Sequence, residues 1–252
     1  MTELSWPDLA AAAAAITLAY TVFGFGGFGA NLVALPLLAH VMTLRFAVPM
    51  LLVLDLFSAG LMGLKNRPLI ERAELLRLVP WLLVGMGGGV LLLQQAQERW
   101  LLTALGASVL AYALWSLLGH ADPALLSTRW AVPAGLVGGV YSSMFGTGGP
   151  VYTLYLTRRI RDTNRLRATI GALILGSAVV RLVLFTGSGF YAQPGLVRLA
   201  LVLVPCAVLG YLMGSQLHAR VPQAQVRRVI WALLAFSGAS LLWRGLASGA
   251  MP

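Results

Sequence analysis

Charge is scarce in this chain, and acidic charge is scarcest. Asp, Glu, Lys and Arg make up 10% of the 252 residues, with eight acidic side chains against eighteen basic ones. A soluble domain needs roughly a quarter of its residues charged to cover its surface, so a soluble globular fold is excluded. Cysteine is nearly absent. Cys206 stands alone beside Pro205 and Ala207 in apolar sequence, so neither a disulfide nor a thiolate metal site can be assembled from it. There is no H-E-x-x-H, no phosphate-binding lysine loop and no acidic pair within an apolar segment. No catalytic motif is left, and neither an enzyme nor a metal or cofactor is expected. No cleavable leader is expected. Met1–Asp8 has no basic n-region, and Ala10–Phe23 reads as a retained segment.

What the chain has in abundance is apolar sequence: 59% hydrophobic residues and a mean hydropathy of +0.83. Val48–Leu64, Leu78–Leu93 and Leu199–Gly214 are apolar over about the length of a bilayer crossing. None alternates as a barrel strand would. The composition predicts an all-α polytopic membrane protein, with the lipid bilayer as its solvent. The net charge of +10 is then not a nucleic-acid signal, because most Lys and Arg fall in a few loops, as insertion orientation requires. No nucleic-acid partner is expected.

Two short glycine-rich breaks interrupt the apolar sequence, Phe23–Gly29 and Phe145–Pro150, close to half the chain apart. Around them the segments run at about 9–23, 28–43, 46–64, 75–94 and 99–118. They resume at about 131–145, 150–157, 166–186, 196–217 and 225–246. The spacing predicts a first repeat over 1–118, a linker at 119–130 and a second repeat over 131–252. Gly85 and Gly89 match Gly210 and Gly214, and Trp115 matches Trp243. The two glycine pairs, four residues apart, also suit close helix packing. Such a face serves helices within or between chains, so a homo-oligomer is an open partner.

Loop charge adds orientation. Lys65–Arg77, Arg158–Arg167 (five arginines) and Arg220–Arg228 are rich in basic residues, whereas 43–46, 94–99 and 187–198 carry one Arg each. Equivalent loops of the two repeats have opposite bias. That predicts inverted-topology repeats, a transporter plan. Inversion requires an odd number of crossings per half. This holds if the segments flanking each break form a re-entrant helix hairpin ahead of three transmembrane helices. Flanking segments of about 13–16 residues span only about 20–24 Å as helices, short of the ~30 Å hydrocarbon core. The three basic loops then lie in the cytoplasm and both termini outside.

Non-helical backbone at membrane depth persists only where it is buried in protein or lines a wet cavity. Helices starting near Phe28 and Pro150 carry unpaired N–H groups and partial positive charge at the hairpin tips, which suits a small anion. The expected substrate-binding residues are Gly26, Gly27, Phe28, Gly29 and Asn31 at one tip. Ser142, Ser143, Thr147, Gly148 and Gly149 serve at the other, with Tyr141 and Tyr152 nearby. Asp55 and Arg181 lie well inside predicted spans, and an intramembrane charge is a functional hypothesis by default. Arg181 is expected to hold the anion as a planar fork, and Asp55 to carry a coupled proton. The competing readings are a structural Asp55–Arg181 pair and an Arg181 that snorkels outward. His40, near a helix end, is expected at the interface.

These residues carry a resemblance to the TauE/SafE family of sulfite exporters and toluenesulfonate uptake permeases. The first copy of the motif is Gly24–Asn31 through Leu35 and Pro36, then Ala47, Val48 and Pro49. The second is Phe145–Pro150, then Arg167, Ala168 and Thr169. The chain departs from the family pattern in the second copy, which lacks the later proline and has Tyr155 nearby, and at Pro49. The resemblance implies an inner-membrane carrier of sulfite, sulfonates or short carboxylates. The expectation is thus a secondary transporter working by alternating access. An anion channel and a non-transporting membrane subunit are the alternatives.

Overall fold

The computed structural model describes residues 5–26, 29–62, 69–117, 126–146, 148–218 and 234–245. Gly27, Phe28, Thr147, Lys65, Arg67, most of the linker and the Arg220–Arg228 loop lie outside the described residues. Among the described residues there is no strand. The helices are α1 (Trp6–Gly26), α2 (Ala30–Leu38), α3 (Leu44–Met62), α4 (Arg72–Gln95), α5 (Glu98–Leu117), α6 (Ala131–Phe145), α7 (Gly149–Thr157), α8 (Thr163–Gly187) and α9 (Leu196–His218). A further helical stretch covers 234–245. Four of these are long and apolar enough to cross a membrane: Trp6–Phe25, Arg72–Gln95, Thr163–Gly187 and Leu196–Gln216. Their outer faces carry Val84, Leu91, Val183, Leu201, Leu209 and Met213 exposed, a surface suited to lipid rather than water. The chain is a helical membrane protein.

Helix ends follow local chemistry. Ser5 opens α1, its hydroxyl donating to Asp8 at 2.6 Å. Asp162 opens α8, its Oδ1 accepting the N–H groups of Asn164 and Arg165 at 2.8 and 3.0 Å. Those two N–H groups hold the Asp162 carboxyl below the usual range. In trans, the Glu98 carboxylate accepts the first N–H of α3, from Leu44, at 2.8 Å. The Arg244 guanidinium donates to the Ala39 carbonyl at the end of α2, also at 2.8 Å. Each charge has the sign that its helix end favours.

The chain divides into two compact units assembled from alternating segments. One comprises Met1–Leu54, Gln95–Gly119 and Gln193–Pro252; the other comprises Asp55–Gln94 and His120–Ala192. The first holds the α1–α2 hairpin with α9. Here α1 and α9 pack backbone to backbone. A Cβ at Gly24 would collide with the Tyr211 carbonyl, and Cβ atoms at Gly210 and Gly214 would collide with the carbonyls of Thr17 and Thr21. The second unit repeats this arrangement with α6 and α4. Gly85 and Gly139 lie against the carbonyls of Leu136 and Leu82, and a Cβ at Gly89 would lie 2.6 Å from the Val140 oxygen. Its core joins Leu78, Leu82 and Met86 of α4 to Tyr152, Tyr155 and Leu156 of α7 and Leu173 of α8. In both units the first arm of the hairpin is packed through glycine against a helix from the other half of the sequence.

The hairpins differ from expectation in length. α1 has 21 residues, about 32 Å, so this arm alone reaches across a bilayer. The sequence placed its end at 23 because glycine ordinarily weakens a helix. Here the helix continues through Gly24, where the missing Cβ admits the α9 backbone. In the second copy the helix stops at Phe145, and Gly146 takes the left-handed conformation with φ 65°. Pro150 then stands in the first turn of α7, where its missing N–H is harmless. α2 and α7 have nine residues each, about 14 Å, too short to cross. α2 therefore ends well before the expected residue 43. α7 folds back on α6, since a Cβ at Gly138 would lie 3.1 Å from Tyr152 and one at Gly148 would lie 2.8 Å from Ser142 Cβ.

The seams make a stability prediction. Gly139→Ala and Gly214→Ala drive a Cβ into backbone and should each destabilise by about 1–3 kcal/mol. Gly171→Ala and Gly176→Ala, whose Cβ atoms would meet nothing within 4 Å, should be neutral or slightly stabilising. Thermal unfolding in detergent measures both sets.

Candidate functional site

The last turn of α6, ahead of the second break, is buried and polar. Ser142 and Ser143 have 2% and 0% of their surface exposed. Ser142 lies under Gly148, which has room only for hydrogen on that side. No protein group bonds the Ser143 hydroxyl. Tyr141 packs edge-on to Phe145, with ring centroids 5.6 Å apart. At the first hairpin Gly29, at φ 92°, precedes α2, and Asn31, the second residue of that helix, is buried. Gly26 ends α1 and Gly149 begins α7. The expected site residues Gly27, Phe28 and Thr147 fall outside the described residues.

Arg181 is the exceptional residue of the second unit. It lies in α8, six residues before the helix ends at Gly187, yet it is only 3% exposed. It does not snorkel. Its Nη2 lies 3.9 Å from Asp55 Oδ2, while no protein group accepts from Nε or Nη1. The structure therefore brings together the two intramembrane charges singled out in the sequence. Around them stand hydroxyls. Ser177, one turn earlier on α8, and Arg181 both act on the Tyr152 phenol. Tyr191, in the turn between α8 and α9, feels both Arg181 and Asp55, and burial pushes its phenol up to about 12. Tyr191 thus faces the pair as a neutral hydroxyl. A buried guanidinium with unfilled donors is costly, and an oxyanion is the ligand whose geometry and charge fill it.

A second charged cluster escaped the sequence. Glu74, 5% exposed, accepts from the Tyr155 hydroxyl at 2.6 Å, from Arg77 at 2.7 Å and from Arg159 Nη2 and Nε at 2.9 and 3.1 Å. Arg159 also donates to the Leu126 carbonyl at 3.1 Å, and Glu74 hydrogen bonds raise its already high proton affinity. Beside it Arg165 meets Glu71 at 3.1 Å, and the Glu71 N–H donates to Thr169 at 2.9 Å. The loop 158–167 therefore binds α7 and α8 to the start of α4. The sequence signal was slight: two acidic residues, Glu71 and Glu74, among the basic ones of 65–77.

Other polar residues serve structure. A cavity of about 220 Å³ is lined by Ala39–Thr43, Glu98, Leu102 and Arg244, but Glu98 and Arg244 cap helices. His40 is exposed, bonded to Ser240 at 2.9 Å and to the Pro36 carbonyl at 2.8 Å.

Half-length helix arms, glycine-packed spans and a buried guanidinium with unfilled donors are the features to compare with known proteins. The model of the family described as sulfite exporter TauE/SafE matches residues 12–241, and the chain belongs to that family. It is similar to the probable inner membrane transporter protein TsaS of Comamonas testosteroni. The two are 30% identical over 201 residues, which cover 77% of this chain and 83% of the relative. No solved structure matches the chain.

Removing the Glu74 charge strands two arginines and a tyrosine. Glu74→Ala should cost about 1–3 kcal/mol, and Glu74→Gln, which keeps one acceptor, should cost less. Unfolding midpoints in detergent compare the two.

Proposed function

We propose that the protein is a secondary transporter that carries a small sulfur-containing or organic oxyanion across the inner membrane by alternating access. The observation that carries this reading is Arg181: buried at membrane depth, with two nitrogens lacking protein acceptors and a carboxylate held too far away to bond well. Ser177 and Tyr152 supply further hydroxyls. Family membership supports a sulfite- or sulfonate-like cargo, and the name of the Comamonas relative supports an inner-membrane location.

The hairpin tips contribute binding groups in this proposal. Gly26, Gly27, Phe28, Gly29 and Asn31 serve at the first tip, and Ser142, Ser143, Thr147, Gly148 and Gly149 at the second. Backbone N–H groups at the starts of α2 and α7 favour negative charge there. Asp55 carries the coupling proton. The two repeats, 1–118 and 131–252, are inverted in topology, with both termini outside. Matching roles for the glycine pairs support this: Gly85 and Gly89 pack the second hairpin, and Gly210 and Gly214 pack the first.

Uptake into liposomes tests the reading. Wild-type protein should show saturable flux and counterflow of sulfite or toluenesulfonate. Arg181→Gln should weaken binding by about 30-fold or more, the loss expected when one partner of a buried charge pair is removed. Asp55→Asn should abolish the response to a proton gradient. Flux without saturation or counterflow would make the protein a channel. Absence of flux from well-folded protein would make it a subunit that needs a partner.

A further inference from the structure

We infer that Asp55 is the resident anion of the Arg181 site and competes with the transported oxyanion for the guanidinium. The inference rests on the transport reading above and assigns Asp55 a second effect within it.

A carboxylate that binds a guanidinium for stability approaches to about 2.7–2.9 Å. Asp55 Oδ2 stands at 3.9 Å from Arg181 Nη2, close enough to balance the charge and too far for a strong hydrogen bond. The two side chains differ in exposure, 4% for Arg181 and 21% for Asp55. Asp55 is therefore the more accessible member of the pair, while Arg181 Nε and Nη1 have no protein acceptors.

Guanidinium geometry turns this into competition. A planar fork offers two edges for a bidentate oxyanion, one made by Nε and Nη2 and the other by Nη1 and Nη2. Nη2 belongs to both, and Nη2 is the nitrogen that faces Asp55. Any oxyanion taking two N–H bonds shares that nitrogen with Asp55 and brings a second negative charge beside it in a low-dielectric site. The neighbouring Tyr152 and Tyr191 phenols bring no positive charge to balance it. Asp55 thus neutralises Arg181 when the site holds no substrate and opposes the substrate when it arrives. Losing the charge should help binding, the reverse of what a substrate ligand or a positioning residue would show.

Isothermal titration of the purified protein with toluenesulfonate, and in parallel with sulfite, tests this. Asp55→Asn and Asp55→Ala should each bind about tenfold more tightly than wild type, about 1.4 kcal/mol. Asp55→Glu, which keeps the charge, should bind as the wild type does or more weakly. Unchanged or weaker binding in Asp55→Asn and Asp55→Ala overturns the competition, and so does tighter binding in Asp55→Glu. Arg181→Gln separates the two levels. If it abolishes binding while the Asp55 variants fail to tighten, only the competition falls. If Arg181→Gln binds as the wild type does, the transport site itself is misplaced.

Discussion

Backbone pressed directly on backbone is the contact on which this fold depends. In lipid, apolar side chains gain little by leaving the solvent, so helices associate through close van der Waals approach. At Gly139 and Gly214 a neighbouring carbonyl occupies the space a Cβ would need. These seams fix α6 on α4 and α1 on α9. The short arms α2 and α7 are then carried by the longer helices behind them. A nine-residue helix has little stability of its own; α7 gains its stability from the Tyr152, Tyr155 and Leu156 contacts in the core of its unit.

Two buried charges among the described residues of the second unit, Glu74 and Arg181, show opposite uses of the same chemistry. Glu74 is saturated: Tyr155, Arg77 and Arg159 all donate to it within hydrogen-bonding distance. A charge so fully met holds α7 against α4. Arg181 is undersaturated, and Asp55 balances it without closing the contact. A site that must bind and release cannot be satisfied by its own protein, because a ligand then gains nothing by entering. The two clusters thus differ in how far the protein itself satisfies the charge: Glu74 is closed, and Arg181 is left open.

Sequence reasoning located the helices well where hydropathy and punctuation agreed. The ends of α6 at Phe145 and α7 at Thr157 fall where the glycine break and the basic loop put them. It misplaced the end of α1, because the rule that glycine stops a helix has no knowledge of the Tyr211 backbone waiting at Gly24. Asp55 and Arg181 were legible because a charge inside an apolar run is conspicuous by itself. Glu74 was not, because a glutamate at the edge of a basic loop looks solvated until Tyr155 and Arg159, far along the chain, are folded onto it.

By itself the sequence determined the solvent, the helical class, the positions of the two breaks and the residues too charged for their surroundings. All of these depend on local composition, which a bilayer reads directly. Only the tertiary structure decided which glycines are seams and which face open space, that α1 outlasts its break, and that Arg181 is buried beside Asp55 rather than turned outward. Those outcomes depend on which backbone arrives from a distant part of the chain, and no local pattern encodes the neighbour.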